Sequence, residues 1–151
     1  MAETALICRV PEAERYIGHY RQRFDPPARR NVPAHVTVLY PFMAPQDIDE
    51  QVLERLARIA LSVPGFEYRL AETRRFPVSL YLAAQPDDSF AALTDAVYRE
   101  FPDFPPFEGK FDTVVPHVTV AHVQHQGGIE QHETRNDHRG CDKRAAANPD
   151  E

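Results

Sequence analysis

Apolar and polar positions alternate along this chain with two different periods. Short runs with a period of two, or of continuous apolar character, predict five β-strands: residues 4–10, 36–40, 66–70, 78–83 and 114–123. Apolar residues at helical spacing predict three helices: residues 12–24, residues 47–63, and a third that begins at Asp88 or Ser89 and ends at Phe101. The resulting order is β-α-β-α-β-β-α-β, which predicts an α+β fold.

Residues that favour helix ends support two of these boundaries. Pro11 suits the first turn of the first helix, where a missing backbone N–H costs nothing. Asp47, with Glu50 three residues later, predicts the N-cap of the second helix, and Pro64-Gly65 predicts its end.

The same four residues occur twice in the chain, once at the start of the predicted strand 36–40 and once within the predicted strand 114–123. His35-Val36-Thr37-Val38 and His117-Val118-Thr119-Val120 each follow closely after a Val and a Pro. Because successive side chains of a strand point to opposite faces, the His and Thr of each copy share one face and the valines share the other. The duplication predicts two similar lobes that flank a central cleft, with these polar side chains meeting in it.

Composition and charge narrow the functional classes. The chain has 151 residues, 42% of them hydrophobic and 26% charged, which is typical of one soluble globular domain. A net charge of −6 argues against tight non-specific binding of nucleic acid or of an anionic membrane, so a phosphate-bearing ligand needs a local positive site. Only Cys8 and Cys141 are present, and no apolar run reaches membrane-spanning length. We therefore expect a cytoplasmic monomer with no disulfide framework.

The last part of the chain differs from the rest. Residues 124–151 contain a single branched aliphatic residue, Ile129, and no aromatic residue. Such a segment buries too little apolar area to offset the entropy of ordering. We predict one domain over residues 1–123 and a polar, disordered tail over residues 124–151. The tail is rich in His, but its spacing fits no closed zinc site, and we expect no metal.

The two His and two Thr suit reactions at phosphorus. One imidazole can act as general base and the other as general acid near neutral pH. The Thr hydroxyls can donate hydrogen bonds to non-bridging phosphate oxygens, where charge builds in the transition state. In-line displacement needs a base and an acid on opposite sides of phosphorus, and a cleft between two similar strands would supply that geometry. No cofactor is required for this chemistry.

The paired motifs, their separation and the flanking helices resemble the two-histidine (2H) phosphoesterase superfamily, also called the 2′-5′ RNA ligase-like family. The resemblance covers roughly residues 4–123 and is closest to small bacterial members, through residues 32–42 and 101–123. It implies a bilobal, pseudo-twofold arrangement of two antiparallel sheets flanked by helices with a central cleft. It also implies metal-independent chemistry on 2′,3′-cyclic or 2′-5′-linked phosphates of RNA ends or small nucleotides. It also implies that His35 and His117 are the acid/base pair and that Thr37 and Thr119 bind the phosphate. The expected partner is a phosphorylated nucleotide or an RNA 3′ end.

Four further residues are candidates for substrate binding. Tyr40 and Phe42 follow the first motif and could stack on a nucleobase, although aromatic residues beside a Pro more often serve packing. Arg30, next to Arg29, could clamp a phosphate or belong to a solvated loop. His122 stands where many relatives carry an Arg. That departure leaves a second hypothesis open, a nucleotide or RNA-end binding module with little or no turnover.

Overall fold

The computed structural model of the protein describes residues 2–110, 114–122 and, for the backbone alone, 144–146. Six strands form: β1 (Thr4–Arg9), β2 (His35–Phe42), β3 (Glu67–Phe76), β4 (Ser79–Gln85), β5 (His117–His122) and β6 (Arg144–Ala146). Four α-helices form: α1 (Pro11–Phe24), α2 (Pro26–Arg29, a single turn), α3 (Glu50–Ser62) and α4 (Asp88–Glu100). Short 3₁₀ turns occupy Pro45–Asp47 and Pro106–Gly109.

All six strands belong to one antiparallel sheet in the order β1-β2-β5-β4-β3-β6. The α+β prediction is confirmed. The predicted division into two sheets around a cleft is not confirmed, because β2 pairs directly with β5 and joins the β1–β2 and β4–β5 strand pairs into a single sheet. The two motifs are therefore neighbours in the sheet.

The helix boundaries follow local chemistry, with one correction. Pro11 begins α1 as predicted. The N-cap of α3 is Asp49 and not Asp47, because the Asp49 carboxylate accepts a hydrogen bond of 2.9 Å from the Val52 backbone N–H. Asp47 belongs to a separate 3₁₀ turn, Pro45–Asp47, which precedes α3.

The core lies on the sheet face that carries the motif valines. Val36 and Val118 are both fully buried, and they pack with apolar residues of α1 and α4, including Ile17, Phe90 and Leu93. On the buried face of α4, the Thr94 hydroxyl donates a 2.7 Å hydrogen bond to the Val38 carbonyl and so connects the helix to β2. This packing fixes which face of β2 and β5 is left for polar side chains.

The predicted tail over residues 124–151 lies outside the described residues, except for residues 144–146. Those three form β6, which pairs with Glu67, Tyr68 and Arg69 at the free edge of β3. Across the described parts of the chain, every helix is too short or too polar to cross a membrane.

Candidate active site

The two motifs lie side by side on adjacent antiparallel strands. Val36 of β2 stands opposite Val118 of β5. Antiparallel pairing about these two residues brings His35 across from Thr119, and Thr37 across from His117. The two valines are fully buried, whereas the four polar residues are half-buried. Two imidazoles and two hydroxyls therefore share the sheet face opposite the core.

Both motif strands also carry a β-bulge at the same point of the motif. Val38 in β2 is an extra residue relative to β1, and Val120 in β5 is an extra residue relative to β4. A bulge shifts the alternation of side chains by one position, and in each strand the bulged valine and the residue after it are both buried. The next residues, Tyr40 and His122, are exposed and return to the face of the His and Thr side chains.

The two imidazoles are held in the same way. The Nδ1 atom of His35 lies 2.7 Å from the carbonyl oxygen of Pro33, and Nδ1 of His117 lies 2.6 Å from that of Val115. Because a carbonyl oxygen only accepts, Nδ1 carries the proton in both rings. Each Nε2 is then the atom that can give or take a proton at a ligand.

His117 sits in a more apolar environment than a solvent-facing imidazole. Its ring makes edge contacts with Phe76 at 5.0 Å and Tyr81 at 5.1 Å between centroids, and these two rings stack on one another at 4.3 Å. Burial lowers the pKa of His117 below its ordinary value of 6.5, while the hydrogen bond to Val115 opposes that shift. Positive charge on His35 or His122 lowers it further. His117 is therefore poised as a neutral imidazole.

A buried ionic network supports the segment that leads into the first motif. Arg21 is only 2% exposed, and it pairs with Glu14 at 2.8 Å and with Asp25 at 3.0 Å. The same guanidinium donates to the carbonyl of Val32 at 2.9 Å, and Glu14 accepts a hydrogen bond from the backbone N–H of Ala34. Since the Pro33 carbonyl between these two residues holds the His35 ring, α1 fixes the orientation of that imidazole.

His122 ends β5 next to this network. Its side chain is 43% exposed, and its Nε2 lies 3.6 Å from Oδ1 of the buried Asp25. The candidate substrate-binding residue His122 is thus an exposed imidazole beside a buried carboxylate.

The two aromatic candidates have different surroundings. Tyr40 is 43% exposed and donates a 3.0 Å hydrogen bond to Glu3. Phe42 is only 2% exposed, and its ring packs against Phe101 at 5.3 Å and Phe104 at 5.1 Å. The stacking role predicted for Phe42 is therefore wrong, because its ring belongs to the core and has no free face.

The two neighbouring arginines also differ. Arg29 donates to the carbonyls of Gln22 and Arg23 at the end of α1, at 3.1 and 2.7 Å, so its guanidinium serves the helix terminus. Arg30 is exposed in the turn that follows α2, and the phosphate-binding role predicted for it stays a prediction.

Four residues of the site environment were missed by the sequence reasoning: Arg21, Asp25, Phe76 and Tyr81. Arg21 and Asp25 stand four residues apart across the end of a predicted helix, a spacing that signals an ion pair, but nothing in the sequence indicates that the pair is buried. The aromatic pair depends on a β3–β4 hairpin whose first strand extends to Phe76, beyond the predicted end at residue 70.

No group of three or more His, Cys, Asp or Glu side chains able to hold a metal ion occurs among the residues that the structure describes. The residues of the tail that were considered for a zinc site lie outside the described residues: His125, His132, His138 and Cys141.

Comparison with known proteins places the chain in a family. A sequence model of the 2'-5' RNA ligase superfamily matches residues 10–136, so this chain belongs to that superfamily. Over 109 residues it is 29% identical to a protein of Geobacillus kaustophilus (strain HTA426) named "Putative phosphoesterase GK0864". The match covers 70% of this chain and 60% of that relative's length.

Proposed function

We propose that the protein is a metal-independent phosphodiesterase that opens 2′,3′-cyclic phosphates, or cleaves 2′-5′ linkages, at RNA ends or in small nucleotides. Membership of a phosphoesterase and ligase superfamily supports an enzymatic role. The observation that carries the proposal is the direct pairing of the two motif strands, with both imidazoles oriented by a carbonyl at Nδ1.

His117 is the general base in this proposal. Its lowered pKa favours the neutral form, and Nε2 carries the lone pair because Nδ1 donates to Val115. Nε2 takes a proton from a water molecule as the water oxygen bonds to phosphorus. General-base catalysis of this kind typically contributes a factor of about 10²–10⁴ in rate.

His35 is the general acid. Its Nε2 proton passes to the 3′ oxygen as the bond between that oxygen and phosphorus breaks, which leaves a free 3′ hydroxyl and a 2′-phosphate. His117 is then protonated and His35 neutral, and proton exchange with solvent restores both. Thr37 and Thr119 donate hydrogen bonds to the non-bridging oxygens, whose negative charge increases in the transition state.

A binding module for phosphorylated RNA ends is the second candidate. It is favoured by His122, because an imidazole beside Asp25 replaces the permanently charged Arg of many relatives. Such a module would hold the product-like 2′-phosphate without opening the cyclic ester.

The test is hydrolysis of adenosine 2′,3′-cyclic monophosphate in the presence of EDTA. We expect the wild-type protein to release adenosine 2′-monophosphate, and His35→Ala and His117→Ala each to lower kcat by at least about 100-fold. His19→Ala is the matched control, because His19 is an exposed histidine on α1 and should leave the rate unchanged. Undiminished turnover in either motif variant would remove the proposed roles. Tight binding of the 2′-phosphate without any turnover would select the binding module.

A further inference from the structure

Asp25 is a buried carboxylate with one oxygen unused. It lies at the C-terminal end of α1 and is 2% exposed. Its Oδ2 accepts from the Arg21 guanidinium at 3.0 Å, but Oδ1 has no hydrogen-bond partner among the described residues. Leaving a buried charged oxygen without a donor is costly, so such an atom calls for an explanation.

The unused oxygen is directed towards His122. The distance from Asp25 Oδ1 to His122 Nε2 is 3.6 Å, just beyond a hydrogen bond, and the His122 side chain is exposed enough to rotate into contact. The bulge at Val120 places His122 on the same face as Thr119 and His117. His122 therefore lies between Asp25 and the sheet face that carries the proposed phosphate site.

The network of Glu14, Arg21 and Asp25 has a net negative charge that one further cation would balance. Glu14 and Asp25 carry two negative charges, and Arg21 between them supplies one positive charge. His117 on β5 is a poor source of that charge, because burial lowers the pKa of its imidazole. His35, the other imidazole of this face, is committed at Nδ1 to Pro33. His122 is the group in contact with the unused oxygen.

We propose that Asp25 is a positioning residue that orients the His122 ring between two anions, so that His122 binds a non-bridging oxygen of the substrate phosphate. Nε2–H of His122 donates to Asp25 Oδ1, which satisfies the buried oxygen and fixes the ring. Nδ1–H is then the donor to the phosphate. A carboxylate-oriented imidazolium would replace the guanidinium that many relatives carry at this position. The inference rests on the proposed function, because it assigns the phosphate ligand of the same site.

A double-mutant cycle tests the inference. The variants are Asp25→Asn, His122→Gln and the combination of the two. The readouts are the dissociation constant of adenosine 2′-monophosphate by calorimetry and kcat/KM for adenosine 2′,3′-cyclic monophosphate. We expect each single variant to weaken phosphate binding about tenfold, as loss of one charge-assisted hydrogen bond should. The double variant should bind no more weakly than His122→Gln alone, because Asp25 acts through His122.

His122→Arg provides a second test that leaves the Asp25–Arg21 pair untouched. A guanidinium is charged without help from a carboxylate, so this variant should bind the 2′-phosphate at least as tightly as the wild type. It remains informative if Asp25→Asn fails to fold, which thermal unfolding would reveal. Binding by His122→Arg as weak as that of His122→Gln would overturn the inference.

The outcomes separate this inference from the proposed function. If the wild type hydrolyses the cyclic ester but Asp25→Asn weakens binding equally with and without His122, Asp25 is merely structural and the inference falls alone. If the coupled effect on 2′-phosphate binding appears without any hydrolysis, the inference stands and the phosphodiesterase proposal falls. If the wild type hydrolyses the cyclic ester but does not bind adenosine 2′-monophosphate, the inference falls alone; if it neither hydrolyses the ester nor binds the 2′-phosphate, both fall.

Discussion

Replacing Arg21 with Met should destabilise the fold far more than the loss of an ordinary surface ion pair. Methionine can cover much of the aliphatic part of Arg21, so the main change is the loss of the guanidinium. Asp25, 2% exposed, would lose its salt bridge to Arg21, and Val32 would lose a hydrogen bond of 2.9 Å. Breaking a buried ion pair by removing one partner costs about 3–5 kcal/mol. A domain of this size has a total stability of about 5–15 kcal/mol, so the loss is large.

The assay is equilibrium unfolding in urea, followed by circular dichroism. The matched control is Arg74→Met, which removes an arginine from an ion pair with Glu72 whose partners are 46% and 51% exposed. We expect the control to keep the wild-type midpoint. Adding Asp25→Asn to Arg21→Met should recover part of the lost stability, because the buried carboxylate that lost Arg21 would be replaced by a neutral amide. Equal midpoints for Arg21→Met and Arg74→Met would refute the reasoning that this network is buried and structurally important.

Three further predictions concern buried titrating groups. Phe76→Ala should raise the pKa of His117 in a proton NMR titration, since burial is the largest cause of its lowering; an unchanged pKa would contradict this. His117→Gln should reduce the loss of stability on acidification. In the wild type, the unfolded chain protonates His117 near pH 6.5, whereas the folded protein, in which the pKa of His117 is lower, protonates it only at lower pH. The wild type therefore loses stability as the pH falls through that window, and the variant lacks this contribution. A steeper loss in the variant would reverse the sign. Tyr68→Phe should leave the free energy of unfolding unchanged or raise it by up to about 1 kcal/mol. The Tyr68 hydroxyl lacks a hydrogen-bond partner among the described residues, and burial raises its pKa. Clear destabilisation of the variant in urea would show that the hydroxyl is bonded.

The strands and the polar face of the motifs could be predicted because both depend on local periodicity. A strand alternates its side chains wherever it lies, so the burial of Val36 and Val118 follows from the pattern alone. The strand order could not be predicted in this way. Whether β2 and β5 lie in two facing sheets or in one sheet depends on which edges pair, and the duplication is compatible with both.

The supporting residues of the site depend on tertiary contacts and were therefore missed. In the sequence, Arg21 occupies a polar position of an amphipathic helix, which predicts an exposed side chain. In the structure it is buried, because the segment before His35 crosses the end of α1. From the sequence alone, Phe42 could be either an exposed or a buried aromatic residue beside a Pro. Its burial is set by Phe101 and Phe104, which lie some sixty residues later in the chain.

The most direct test of the account is whether His35 and His117 respond to the same bound phosphate. The measurement is a titration of ¹⁵N-histidine-labelled protein with adenosine 2′-monophosphate, followed at the imidazole Nε2 resonances. We expect both resonances to shift along one saturation curve with a single dissociation constant, while His19 does not respond. A shift of only one of the two imidazoles, or two curves with different dissociation constants, would contradict a shared site.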